Sequence, residues 1–67
     1  MKKITILIPC YNEEASLHFL YEKLAELMAQ LPRYEFEVLF VNDGSKDKTL
    51  AIIKEFADKD KRISHID

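Results

Sequence analysis

Apolar positions along the chain repeat with a period that switches between about two and about 3.6 residues, and each switch marks a change of element. Ile4-Thr5-Ile6-Leu7-Ile8 is β-branched and almost wholly apolar, as expected of a strand covered on both faces. Pro9 is expected to end it, because proline has no N–H to give to a ladder. Leu17, Leu20, Tyr21, Leu24, Leu27, Met28 and Leu31 then form one stripe, with Glu22, Lys23, Glu26 and Gln30 opposite, which predicts an amphipathic helix. Asn12 suits its N-cap, Glu13 and Glu14 its first turn, and Pro32 its end. Phe36–Val41 reads as a second, mostly buried strand. Asn42-Asp43-Gly44-Ser45 follows as a turn with the only glycine of the chain. Ser45 is expected to cap a second helix, with Asp47 in its first turn and Leu50, Ile53, Phe56 and Ala57 on its buried face, widened by Ile52. Asp58–Arg62 reads as a solvated turn, and Arg62–Ile66 as the start of a third strand.

The predicted order is therefore β-α-β-α-β, an α/β chain with a parallel sheet and right-handed crossovers. Ligands of such sheets sit beyond the carboxyl ends of the strands. Two polar clusters fall there, Cys10-Tyr11-Asn12-Glu13-Glu14 and Asn42-Asp43-Gly44-Ser45. If the first two strands are neighbours, both clusters line one crevice.

Length changes this picture. A chain of 67 residues buries only about 60% of its unfolded surface. A single cysteine allows no internal disulfide, and Cys10, His18 and His65 have no zinc-like spacing. An apolar fraction of 48% argues for order. Residues 1–67 are therefore expected to be part of a larger domain, with sheet edges that invite self-association. A net charge of −2 with interleaved signs leaves no footprint for nucleic acid. Lys2 and Lys3 precede an apolar run too short for a signal peptide, and no stretch approaches the roughly 20 apolar residues of a membrane span. The expected compartment is the cytoplasm, with Cys10 reduced.

The chemistry is narrowed by what is missing. No Gly-x-Gly-x-x-Gly follows the first strand, no P-loop is present, and no serine, histidine and acid suggest a nucleophilic triad. There remain an aromatic ring and a carboxylate at two strand ends. Tyr11 offers a face for stacking a base, a contact of about 1–3 kcal/mol in single-stranded nucleic-acid sites. Asp43, an acceptor only, matches the N3–H of uracil or the N1–H and amino group of guanine. Each also has a plainer reading: Tyr11 packed on the first helix, and Asp43 forming an Asx-turn into Ser45. Glu13 and Glu14 are equally explained by the helix dipole, and Asp47 and Thr49 by the start of the second helix. Cys10 is either a small filler or a thiol whose pKa a helix N-terminus lowers. His18 and His65 read as surface or strand-end residues. The same element order also fits a receiver-like or flavodoxin-like binding module.

Ile6-Leu7-Ile8-Pro9-Cys10-Tyr11-Asn12-Glu13-Glu14, followed by Val41-Asn42-Asp43-Gly44-Ser45-Lys46-Asp47-Lys48-Thr49, resembles the opening of family 2 glycosyltransferases of the GT-A, Rossmann-like fold. The spelling is most similar to the branch that glycosylates polyprenyl phosphates, although the family usually carries a small residue where Cys10 stands. The resemblance implies that Pro9, Cys10 and Tyr11 contact the base and ribose of a nucleotide-sugar, Asp43 bonds the base, and Glu13 lies near the nucleotide. It further implies a UDP- or GDP-sugar donor, a polyprenyl phosphate or glycan acceptor, and work at the cytoplasmic face of a membrane. A divalent metal, Mg or Mn, would be held by an Asp-x-Asp element beyond Asp67. The 67-residue chain is then the N-terminal part of one glycosyltransferase domain, without catalytic or metal-binding residues and inactive alone.

Overall fold

The computed structural model describes residues 1–66. Strand β1 covers Lys2–Cys10, helix α1 Leu17–Gln30, strand β2 Tyr34–Asn42, helix α2 Thr49–Lys59 and strand β3 Ile63–Ile66. The sheet is parallel throughout, in the order β1-β2-β3. Register runs from Lys2↔Tyr34 to Cys10↔Asn42 between β1 and β2, and from Val38↔Ile63 to Val41↔Ile66 between β2 and β3.

Strands laid down in sequential order by right-handed crossovers receive both helices on one face. The core shows this: Cys10, Phe36, Val38, Phe40 and Ile63 come from one side of the pleat and pack with Leu17, Leu24 and Met28 of α1 and with Ile53 and Phe56 of α2. Ile4, Ile6 and Ile8 join from the edge strand, half-buried. The opposite face carries Thr5, Leu7 and Pro9, all exposed, opposite Glu37, Leu39 and Val41. The expectation that β1 is covered on both faces is thus corrected: Leu7 is 62% exposed. An ion pair, Lys3 Nζ to Glu37 Oε2 at 3.1 Å, lies on this open face.

Pro9 does not end the strand, because β1 continues to Cys10. Backbone groups of a strand alternate between its two edges. The Cys10 carbonyl faces β2, where it accepts the Asp43 N–H at 2.9 Å. The nitrogen of Pro9 therefore faces the free edge, where no ladder bond is lost.

Phe56 joins the two helices to the sheet. Tyr21 of α1 stacks on it at 4.5 Å between centroids and 14° between planes. The His18 ring meets it edge-on at 5.4 Å, and Phe40 of β2 lies tilted at 6.3 Å. His18, read as a bare surface residue, thus has a packing role. Leu27 and Leu31, placed in the α1 stripe by periodicity, remain 43% and 37% exposed, and Phe19, outside that stripe, has the Lys23 ammonium 5.3 Å above its ring.

The charged run into β3 is exposed at Asp58, Lys59, Lys61 and Arg62, as expected of a solvated segment, and Asp60 is partly buried. Asp60 accepts from Arg62 Nε at 2.9 Å, Nη2 at 2.6 Å and backbone N–H at 3.0 Å, and from the Tyr21 hydroxyl at 3.3 Å. The Arg62 carbonyl in turn accepts from the Val38 N–H at 2.8 Å, which seats β3 against β2. The strand itself begins at Ile63, one residue later than expected.

Candidate functional site

Cys10 and Asn42 are the last paired residues of β1 and β2, and both side chains are buried. Tyr11 and Asp43 are the next residues along, and the Asp43 N–H still donates to the Cys10 carbonyl at 2.9 Å. This is the carboxyl end of the sheet, where the topology places a ligand. The Tyr11 ring is 54% exposed rather than packed away under α1. Asp43 is exposed too, and its carboxylate has no hydrogen bond among the described residues.

The Asx-turn expected of Asp43 belongs to its neighbour. Asn42 Oδ1 accepts from the Ser45 N–H at 3.3 Å, and Gly44 takes a left-handed φ of 71°. No atom lies within 4 Å of a Cβ built on Gly44, so conformation and not space requires glycine there. Because Asn42 closes the turn, Asp43 is left with both carboxylate oxygens open to a ligand.

The two helix starts also differ from expectation. α1 begins at Leu17, not just after Asn12, so Glu13 and Glu14 precede its first turn. The Glu13 carbonyl accepts the Ser16 and Leu17 N–H groups at 3.0 and 3.1 Å. Asn12 is unavailable as a cap: its backbone has φ 50°, which Asn tolerates better than most residues, and its side chain bonds the other loop. Ser45 does not cap α2, which begins at Thr49 with Asp47 ahead of the helix.

What these residues do instead is tie the β1 loop to the β2 loop. The Asn12 N–H donates to Ser45 Oγ at 2.9 Å, and the Lys46 N–H donates back to Asn12 Oδ1 at 2.8 Å. The Glu13 N–H donates to Thr49 Oγ1 at 2.8 Å, and the Thr49 hydroxyl in turn donates a hydrogen bond to Asp47 Oδ1 in a short contact. Asp47 Oδ1 also accepts the Thr49 N–H at 2.9 Å, and Oδ2 the Glu14 N–H at 3.3 Å. Glu14 Oε1 accepts the Lys48 N–H at 3.4 Å. These bonds, the Thr49 hydroxyl foremost, hold the Asp47 carboxyl below its ordinary value of 3.8. Sequence reasoning placed Asn12, Asn42 and Ser45 in the two clusters of the crevice but missed the bonds they make there, and it left Thr49 out of the site. Only Asn42 had a local signal, a turn-forming side chain three residues before Ser45.

The remaining expected site residues fall as follows. Pro9 is exposed at the end of β1. The Cys10 thiol lies in the core, 2% exposed, where burial first and the Glu13 charge second push its pKa up. A thiol activated by a helix terminus is therefore excluded, and its Sγ lies 3.8 Å from the Ile8 carbonyl oxygen. Glu13 is exposed, with Oε2 accepting from the Ser16 hydroxyl at 3.2 Å.

Among the described residues, no three His, Cys, Asp or Glu side chains stand close enough to share a metal ion. Asp47 is committed to Thr49 and Glu14, and Glu13 to Ser16. A divalent metal does not fit these described residues. Among the same residues no helix is long and apolar enough to cross a membrane.

The parallel β-α-β-α-β unit thus brings an aromatic ring and a free carboxylate to adjacent strand ends. Residues 5–67 match the model of glycosyl transferase family 2, and the chain belongs to that family. The receiver-like and flavodoxin-like alternatives fall with this match, and the observed sheet is consistent with the N-terminal portion of a GT-A fold. The chain is 44% identical to an uncharacterised glycosyltransferase, YkcC, of Bacillus subtilis, over 94% of its own length and 19% of the relative's. It is 41% identical to a prophage bactoprenol glucosyl transferase homologue of Escherichia coli, over 87% of this chain and 19% of that one. The same identity holds against the undecaprenyl-phosphate 4-deoxy-4-formamido-L-arabinose transferase of Photorhabdus laumondii, over 88% of this chain and 18% of that one. The chain thus spans less than a fifth of each of these relatives.

Proposed function

We propose that residues 1–67 form the nucleotide-binding half of a longer glycosyltransferase, which moves a sugar from a UDP- or GDP-sugar to a polyprenyl phosphate or glycan. The observation that carries this is the placing of Tyr11 and Asp43 immediately past the Cys10↔Asn42 pair, with the Asp43 carboxylate left free by Asn42. Tyr11 stacks on the base, and Asp43 accepts the imide N–H of uracil or the N1–H and amino group of guanine. Pro9, the Cys10 backbone and Glu13 border the nucleotide. The acceptor class is supported by the bactoprenol and undecaprenyl-phosphate transferases among the relatives, and with it a place at the cytoplasmic face of a membrane. Displacement at the anomeric carbon, and the Mg or Mn that would steady the donor diphosphate, belong to residues outside this chain.

Titration of the full-length enzyme with UDP and GDP tests the reading. Asp43→Ala is expected to weaken the preferred nucleotide about 10–100-fold, the worth of hydrogen bonds to a charged group. Unchanged affinity for both nucleotides would remove Asp43 from the site.

The same reading gives the 67-residue chain alone a tendency to self-associate. Its outer strands β1 and β3 each pair on one side only, and Leu7, Leu39 and Val41 lie beside Pro9 on the uncovered face. Size-exclusion chromatography is expected to show an elution volume that falls with rising concentration. A monomer at every concentration would contradict this.

A further inference from the structure

The bonds between the two loops form a closed set, and their position gives them a consequence beyond stability. Tyr11 is held only through its neighbours: Cys10 in the ladder before it and Asn12 after it, whose N–H and side chain are both bound to the β2 loop. Asp43 is likewise fixed between Asn42, buried, and the Ser45–Lys46 backbone that Asn12 and Asn42 grip. Behind them Thr49, fully buried, accepts a hydrogen bond from the Glu13 N–H and donates one from its hydroxyl to Asp47. One hydroxyl thus connects the start of α2 to the β1 loop, and its orientation is set by Asp47 being ionised.

We propose that Thr49, with Asp47, Asn12 and Ser45, is a positioning device that fixes the separation of the Tyr11 ring and the Asp43 carboxylate and so determines how sharply the site reads a base. The proposal rests on the reading of Tyr11 and Asp43 as the base-binding pair. A base must meet the ring with its face and the carboxylate with its edge together. A pair of free loops would have to be ordered at the moment of binding, and preorganisation removes that cost. The Thr49 hydroxyl cannot be replaced by shape alone. Valine matches threonine in outline, but it leaves the Glu13 N–H without its acceptor and takes from Asp47 the hydroxyl donor, leaving that carboxylate only the Thr49 and Glu14 N–H groups. None of the four positioning side chains needs to touch the nucleotide.

The test compares Thr49→Val, Thr49→Ser and Ser45→Ala with Asp43→Ala and Tyr11→Ala in the full-length enzyme, using calorimetric titration with UDP, GDP and inorganic pyrophosphate. Thr49→Val is expected to lose about tenfold in affinity for the preferred nucleoside diphosphate, about 1.4 kcal/mol, and to narrow the UDP-to-GDP ratio. Its pyrophosphate affinity stays unchanged, because the diphosphate is not read by the ring or the carboxylate. Thr49→Ser keeps the hydroxyl and restores nucleotide affinity to within about twofold. A Thr49→Val enzyme with wild-type nucleotide affinity, or with equal losses for nucleotide and pyrophosphate, overturns the proposal. Should Thr49→Val not fold, Ser45→Ala decides: a loss of about fivefold for the nucleotide alone supports it, and none overturns it. If Asp43→Ala and Tyr11→Ala bind as tightly as the wild type, the base site itself is misplaced. If they weaken and the Thr49 and Ser45 variants do not, only the positioning role fails.

Discussion

Phe56→Ala is expected to unfold the 67-residue chain at 25 °C. The ring is 3% exposed and stands where three elements meet: stacked on Tyr21 of α1, edge-on to His18, and tilted against Phe40 of β2. Truncation of a buried phenylalanine costs about 3–5 kcal/mol, through lost transfer energy and the cavity left behind. A chain this short, with little buried surface and no disulfide, belongs at the low end of about 0.05–0.15 kcal/mol per residue, so its whole stability is roughly 3–5 kcal/mol. The cavity cannot close cheaply, because Tyr21 is anchored at its far end by the bond to Asp60. Phe56→Leu keeps most of the buried area and loses chiefly the ring geometry, about 0.5–1.5 kcal/mol. Urea unfolding followed by circular dichroism separates the outcomes: a folded baseline for Phe56→Leu, none for Phe56→Ala. A cooperative transition for Phe56→Ala near the wild-type midpoint would show that Phe56 is not the link between the helices and the sheet.

Element order was legible because hydrophobic period is a local property. The stripe through Leu17, Leu24 and Met28 and the run Phe36–Val41 each needed only their own segment. Coverage of the sheet was less legible. The run Ile4–Ile8 looks the same whether one face or two are packed, and only the strand order reveals that Leu7 and Pro9 lie on the open side. The positions of Tyr11 and Asp43 at adjoining strand ends followed from the alternation of elements together with the expected pairing of β1 and β2. The side chains that hold them there were not legible. Asn12, Ser45 and Thr49 each have a plausible local use as a cap or turn former and each bonds across 33 or more residues, while Asp47 does both, accepting the Thr49 N–H at the start of α2 and the Glu14 N–H across the loops. Local propensity assigns such residues to the nearest helix start. Register assigns them to the loop opposite.

The second large effect is expected at Asp60, in the run read as a solvated turn, where a charge pair with Arg62 closes the turn into β3. Its side chain is only 10% exposed and Arg62 grips it through both Nε and Nη2, a two-pronged geometry that a lysine cannot reproduce. Asp60→Ala removes these bonds and those from the Arg62 N–H and the Tyr21 hydroxyl, and is expected to cost about 1.5–3 kcal/mol at pH 7. The Arg62 side-chain bonds, chiefly, hold the Asp60 carboxyl below its ordinary 3.8. An acid whose pKa is lower folded than unfolded binds fewer protons in the folded state, so its stabilisation is complete above the unfolded value and is lost as pH falls through the folded one. Asp47 is displaced in the same direction, so wild-type stability alone does not isolate Asp60. The difference between wild type and Asp60→Asn does: it stays level from neutral pH down to about 5, then narrows as pH drops below about 4. Denaturant midpoints measured at half-unit steps of pH give that difference directly. A gap of constant size down to pH 2.5 would mean that the Asp60–Arg62 pair contributes nothing through its charge, and that the turn is held by the backbone alone.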